Sequence, residues 1–179
     1  MKKLLFTLGL GLASSAALAN TGDINFHGSI TAGGTCPITI VDPGSGGVQL
    51  PRVVVGSFHP EFFTTAGTKT PAVSFALRVD PSTCTISPGD QGYVTFDANY
   101  GPVGTNLYGL RPGGEASNLG LAIMDKSRAN LAPGTESAAY PLDDTKPTDM
   151  LFLASYESTA TGVTPGHAQS EVVFTVDIR

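Results

Sequence analysis

The chain has 179 residues, with no tryptophan, two cysteines and three histidines, and only 14% of it is charged. Each shortage narrows what it can do. Ten basic residues against 15 acidic ones leave no cluster of Lys and Arg to neutralise phosphates, which excludes nucleic acid as a partner. Two cysteines do not make the four-ligand set of a structural zinc site, and none of His27, His59 or His167 stands at ligand spacing from either. Helical periodicity is missing too, the nearest stretch being AIMDKSRANLA. That stretch reads better as a strand, with Leu121 and Ile123 on one face, followed by a turn from Asp125 to Asn130.

Long apolar runs are confined to the start. MKKLLFTLGLGLASSAALAN has two lysines, an apolar run from Leu4 to about Leu12, and small residues ending Ala17-Leu18-Ala19. This is the pattern of a secretory signal peptide over residues 1–19, with cleavage after Ala19. A bilayer anchor needs about 20 apolar residues, more than this run offers. Loss of Lys2 and Lys3 leaves 8 basic residues against 15 acidic ones, a formal charge of −7. Export also sets the redox state: in an oxidising compartment Cys36 and Cys84 pair by default. By the chain-entropy model such a loop stabilises by about 4 kcal/mol.

What is plentiful is turn chemistry, with 22 Gly and 13 Pro. Short β-patterned runs alternate with it: PITIV (37–41), VQLPRVVV (48–55), VSFALRV (73–79), YVTFDANY (93–100), LGLAIMD (119–125), MLFLASYE (150–157) and EVVFTVDIR (171–179). Between them lie DPGSGG, TTAGTKTP, DPSTCTISPGDQG, GLRPGGEASN, APGTE and ATGVTPGHAQS, rich in Gly, Pro, Asp and Asn. The pattern predicts an all-β fold, an antiparallel sandwich of immunoglobulin-like type, in one domain.

No catalytic set emerges. A nucleophile needs a base and an orienting group within hydrogen-bond reach, and the three histidines fall on a polar strand face (His27) and in two loops (His59, His167). Asp143, Asp144 and Asp149 cluster in YPLDDTKPTDM, but the spacing fits no EF-hand and Lys146 lies among them, so the stretch reads as a solvated loop. GSGG and RPGG lack the continuation of a phosphate-binding loop and read as turns. The chain is expected to be no enzyme and to take no cofactor or metal.

The two ends carry the information. GDINFHGSITAGGTC, Gly22 to Cys36, alternates like a strand with one buried face, placing Ile24, Phe26, Gly28, Ile30 and Ala32 together. Glycine on the buried side of a strand offers nothing to pack, so Gly28 needs a reason. At the other end EVVFTVDIR alternates through Phe174, Val176 and Ile178 and stops with no further strand. A sandwich short of its last strand exposes a groove and unpaired edges; the opening segment has the pattern of a strand made to fill one.

In these features the sequence resembles the subunits of chaperone–usher fimbriae, in particular single-domain pilins of the type 1 and P-pilus kind. The resemblance rests on GDINFHGSI before Cys36, VQLPRV after it, VSFALRVDPSTC, NLGLAIMDKSRANLAPG and LFLASYESTATGVTPGHAQSEVVFTVDIR, in this order over the whole mature chain. It implies an incomplete immunoglobulin-like β-sandwich lacking the last strand and completed by donor-strand complementation. Residues 20–35 would be the donor extension and 36–179 the pilin domain. A periplasmic chaperone would lend a strand, and at an outer-membrane usher the extension of a neighbouring fimbrial subunit would replace it, delivering the polymer to the cell surface. Ile24, Phe26, Gly28, Ile30 and Ala32 would then be the donated positions. Phe174, Val176, Ile178 and the terminal Arg179 would border the acceptor groove and meet the chaperone. Gly28 falls on the glycine of the family's F-x-G, where donor and acceptor backbones approach closely. The ending Asp-Ile-Arg departs from the aromatic penultimate residue usual in the family. The competing expectation is an autonomous secreted sugar-binding sandwich with an exposed aromatic platform of Phe62, Phe63, Tyr100 and Tyr108.

Overall fold

The computed structural model describes residues 22–28, 36–113 and 116–179, and of 22–28 the backbone. Eleven strands follow in chain order: β1 (Gly22–Gly28), β2 (Thr39–Val41), β3 (Val53–Gly56), β4 (Val73–Val79), β5 (Gln91–Ala98), β6 (Pro102–Val103), β7 (Leu107–Tyr108), β8 (Leu119–Met124), β9 (Tyr140–Pro141), β10 (Thr148–Ser158) and β11 (Ala168–Ile178). They form two sheets, one ordered β3-β1-β11-β5-β9 and the other β2-β4-β10-β8-β7-β6. Every pairing between these strands is antiparallel except that of β1 with β11. The expected all-β sandwich is present. No helix among the described residues is long and apolar enough to cross a membrane.

The long strands fall where alternation predicts them. On β5 the burial alternates strictly from Gly92 through Val94 to Phe96, and β11 buries Ala168, Ser170, Val172 and Phe174. The run VQLPRVVV, read as one strand, divides instead between the sheets. Gln49 bridges to Val41 and Leu50 N–H donates to Ile40 O at 2.8 Å, while pairing resumes only at Val53 in the opposite sheet. Pro51 explains the break, because it has no N–H to continue a ladder. The turn expected at Asp125–Asn130 is there: the Asp125 carboxylate accepts from Ser127 N–H at 2.8 Å and from the Ser127 hydroxyl at 2.6 Å.

Aromatic packing joins the two sheets. Phe96 on β5 meets Phe152 on β10 edge-on at 4.9 Å between ring centroids and Phe75 on β4 at 6.3 Å, and Phe75 and Phe152 stack at 5.7 Å. All three are fully buried. Tyr140 adds a fourth ring, 5.3 Å from Phe152, and its hydroxyl donates to Leu151 O. A Cβ at Gly92 would lie 2.8 Å from Met150 Sδ, so a larger residue there would have to displace the buried Met150 side chain. At the near end of the sandwich Cys36 and Cys84 are bonded, closing a loop of 48 residues. The Cys36→Ser/Cys84→Ser double variant should lose about 4 kcal/mol of stability, read as a lower denaturant midpoint and a falling periplasmic yield.

Burial pushes the Tyr140 hydroxyl up to about 12. The folded state therefore favours the neutral phenol, and this contribution is complete below the unfolded phenol's pKa of about 10. It is lost as pH rises from there through the folded value. Stability measured from pH 9 upward should fall above about pH 10, and Tyr140→Phe should flatten part of that slope. An unchanged slope would remove Tyr140 as a cause.

Candidate strand-acceptor slot

The site is a gap between two strands rather than a pocket. Among the described residues β3 pairs in its sheet with β1, and β11 has β5 on one side and β1 on the other. Taking β1 away leaves a slot between β3 and β11 with backbone groups exposed along both walls. The β11 wall comes from a strict alternation, with Ala168, Ser170, Val172 and Phe174 inward and Val176 and Ile178 partly buried against the same core. The β3 wall contributes Val53 and Val55, both buried, while Val54 is half exposed on the outer face.

Residues 22–28 of the same chain occupy this slot. Along β11 the register runs from Gly22 opposite Ala168 to Gly28 opposite Phe174, in parallel. Along β3 the pairing is antiparallel, joining Gly22 to Gly56, Asp23 to Val54 and Ile24 to Val53, with a register shift between Gly22 and Asp23. Ile24, Phe26 and Gly28 hold the register positions opposite Ser170, Val172 and Phe174, the inward members of β11. Asp23, Asn25 and His27 fall opposite the partly exposed Gln169, Glu171 and Val173. Ile30 and Ala32, the remaining expected donor positions, lie outside the described residues.

The pairing with β1 covers part of β11. The pairing with β1 spans Ala168 to Phe174, so of Phe174, Val176 and Ile178 only Phe174 meets it; Val176 and Ile178 lie farther along β11. Ala168, Ser170 and Val172 also lie along this pairing, and Val53 on β3 lies across from Ile24. The alternation of EVVFTVDIR extends back to them, but polar Gln169 and Ser170 mask it.

The two ends of the slot differ. At the Ile178 end, Gln91 and Arg179 exchange backbone hydrogen bonds of 2.8 and 3.0 Å. The Arg179 guanidinium bonds Glu136 at 2.8 Å and Asp177, and lies 3.9 Å from the Tyr93 ring centroid. The bond to Glu136, then that to Asp177, raises its pKa. Arg179, expected to meet a chaperone, is thus bound to its own β5 and the loop before β9. At the Ala168 end, the Tyr156 hydroxyl donates to Ala168 O and the Ser170 hydroxyl donates to Gly109 O at 2.8 Å. Beyond Gly22 a cavity of 20 Å³ opens between Phe58, Phe63, Leu119, Tyr156 and Val163.

Other expected site residues do not converge. His59 and His167 are exposed in loops. Asp143 accepts from Thr145 N–H at 2.8 Å and Lys146 N–H at 3.0 Å, whereas Asp149 pairs bidentately with Arg78 at 2.6 and 2.8 Å. The acidic loop is therefore spent on a turn and an ion pair, and among the described residues no three His, Cys, Asp or Glu side chains gather as metal ligands. The aromatic platform is overturned: Tyr108 and Phe63 are core residues, and among the described large aromatics Phe62, at 43%, is the exposed one.

The described residues form a sandwich with a slot filled by an N-terminal strand and a disulfide at one end. A family model described as fimbrial protein matches residues 24–179, and the chain belongs to that family. It is a structural subunit of a pilus, in a family whose members are not enzymes. Relatives include the fimbrial subunit type 1 of Klebsiella pneumoniae, 31% identical over 95% of this chain and 93% of that one. The probable major fimbrial subunit LpfA of Escherichia coli O157:H7 is 27% identical over 97% and 95%. The fold is shared with the P pilus rod subunit PapA, at a TM-score of 0.60 and 15% identity over 81% of this chain and 99% of that one. A chaperone–usher pilus structure matches at 0.55 and 14% over 98% and 99%.

Magnitudes rank the contacts along β11. Ser170 is fully buried, so Ser170→Ala strands the Gly109 carbonyl and should cost about 1–3 kcal/mol. The Arg179 pairs are solvated and screened, and Arg179→Ala should move the denaturant midpoint far less. Equal shifts would contradict this ranking.

Proposed function

We propose that the chain polymerises by strand donation: residues 20–35 of one copy fill the slot between β3 and β11 of the next. The observation that supports this is the sheet order, in which, among the described residues, β3 is paired with a strand from the N-terminal extension. A slot of this kind recognises its occupant by β-augmentation, main-chain hydrogen bonds giving affinity and alternate side chains giving fit. The donated residues are Ile24, Phe26, Gly28, Ile30 and Ala32, and the acceptor wall includes Phe174, Val176 and Ile178. Gly28 is glycine because the donor backbone comes close to the acceptor there.

Before polymerisation an empty slot is a hazard for edge-to-edge aggregation. A periplasmic chaperone covers it by lending a strand, with the β11 terminus up to Arg179 in reach, and an outer-membrane usher exchanges that strand for the next subunit's extension. Passage then runs from signal-peptide cleavage after Ala19 through the periplasm to the cell surface, where the fimbria supports adhesion.

Deleting residues 20–35 removes the donor and keeps the acceptor. The truncated chain should need a chaperone or a free strand to stay folded, bind a synthetic peptide of residues 20–35 one to one, and form no long polymers under electron microscopy. Long polymers from the truncated chain would sink the donor assignment. A stable, self-folded truncated monomer would sink the acceptor assignment.

A further inference from the structure

We propose that the slot selects its strand on the outer side as well as at the apolar positions: Arg52 on one wall and Glu171 on the other form a charged rung. The rung favours a neutral side chain that both donates and accepts hydrogen bonds, at the position held here by Asn25. Selection among strands of neighbouring copies rests on the strand-donation reading. The rung itself rests on the register.

Along β11 Asn25 pairs with Glu171. Along β3 the antiparallel ladder runs from Asp23–Val54 to Ile24–Val53, and one further step brings Arg52 alongside Asn25. Alternation places Arg52 on the outer face with the half-exposed Val54, and Arg52 is exposed. By the same period Asn25 lies on the opposite face of its strand from Ile24 and Phe26. Adjacent strands are about 4.8 Å apart, so the two charged walls stand about 10 Å from each other with position 25 between them.

Glu171 is held in place from the far side of β11. Asn99 Nδ2 donates to its Oε2 at 2.9 Å, and the Asn99 N–H donates to its carbonyl at 3.1 Å. Tyr100 and Arg111 complete the surroundings: desolvation, then the hydrogen bond with Glu171, raise the pKa of the Tyr100 phenol, and the Arg111 charge opposes this. A carboxylate held by its neighbours is less free to swing away from a repelling group, and this makes it selective.

The two walls ask for opposite things. A guanidinium only donates and a carboxylate only accepts. A residue carrying both a carbonyl and an amide, as asparagine and glutamine do, answers both. An acid in the middle of the rung gains at Arg52 and loses at Glu171, whereas a lysine does the reverse. The fitting occupant is therefore a strand with an amide residue at this rung.

The test is a set of double-mutant cycles in the whole mature chain, oxidised, with unfolding followed in denaturant. Asn25→Gln is the neutral reference for Asn25→Glu and Asn25→Lys. Relative to it, Asn25→Glu should improve about 1.5- to 5-fold in folding equilibrium constant when combined with Glu171→Gln, and worsen by a similar factor with Arg52→Gln. Asn25→Lys should show both signs reversed. At about 1 M salt the couplings should shrink. Ser74→Glu, exposed on β4 in the other sheet, should couple to neither wall.

Couplings no larger than those of Ser74→Glu, or of the same sign at both walls, would overturn the rung. If a wall variant does not fold, the order at position 25 with both walls intact decides, and a glutamate or lysine there that outranks glutamine overturns it. Light scattering and electron microscopy of the same samples read polymer formation separately. Monomers that show the sign pattern keep the rung and remove selection among neighbours, whereas polymers without it keep strand donation and remove the rung.

Discussion

An unpaired backbone edge is the constraint on which this molecule turns. Among the described residues β3 and the wall of β11 from Ala168 to Phe174 both pair with the strand between them. A buried backbone group left without a partner costs about 1–3 kcal/mol, and several in a row would consume the few kilocalories by which domains of this size stay folded. The slot must therefore be filled by something, and the chemistry of that something is loosely specified: a backbone in extended conformation with apolar residues at every second position. Residues 22–28 of this chain meet that description.

Interchangeable filling is possible because the rest of the sandwich is secured elsewhere. The Phe75, Phe96 and Phe152 rings join β4, β5 and β10 across the two sheets, and the Cys36–Cys84 bond restrains the chain at one end. Neither depends on the identity of the strand in the slot. The polar interior supports the same division: Ser170 and Tyr156 hold β11 to Gly109 and to β10 through their own hydroxyls, so the wall keeps its shape from behind.

Much of this was legible in the sequence, and the misses have physical causes. VSFALRV coincides with β4 from Val73 to Val79 because a clean apolar run bounded by turn formers leaves no choice of ends. The two-residue strands β6, β7 and β9 are too short to show any period. The break inside VQLPRVVV was visible as Pro51, but a proline signals an interruption without saying that the chain changes sheets. Tyr108 and Phe63 were offered as exposed aromatics, yet a residue between turns can point either way and tertiary packing buried both. At the slot, Phe174 was found by alternation. Ser170 was hidden because a hydroxyl reads as a surface residue until a buried acceptor, here the Gly109 carbonyl, accounts for it.

One property could not be read from the strand pattern in principle. Alternation with a period of two is unchanged when a segment is reversed, so the spacing of Ile24, Phe26 and Gly28 states which residues share a face but neither the direction of insertion nor the chain that provides the slot. The direction is read from the backbone pairing, which runs parallel along β11 and antiparallel along β3. Side chains thus specify the shape of the occupant, whereas the ladder specifies its polarity.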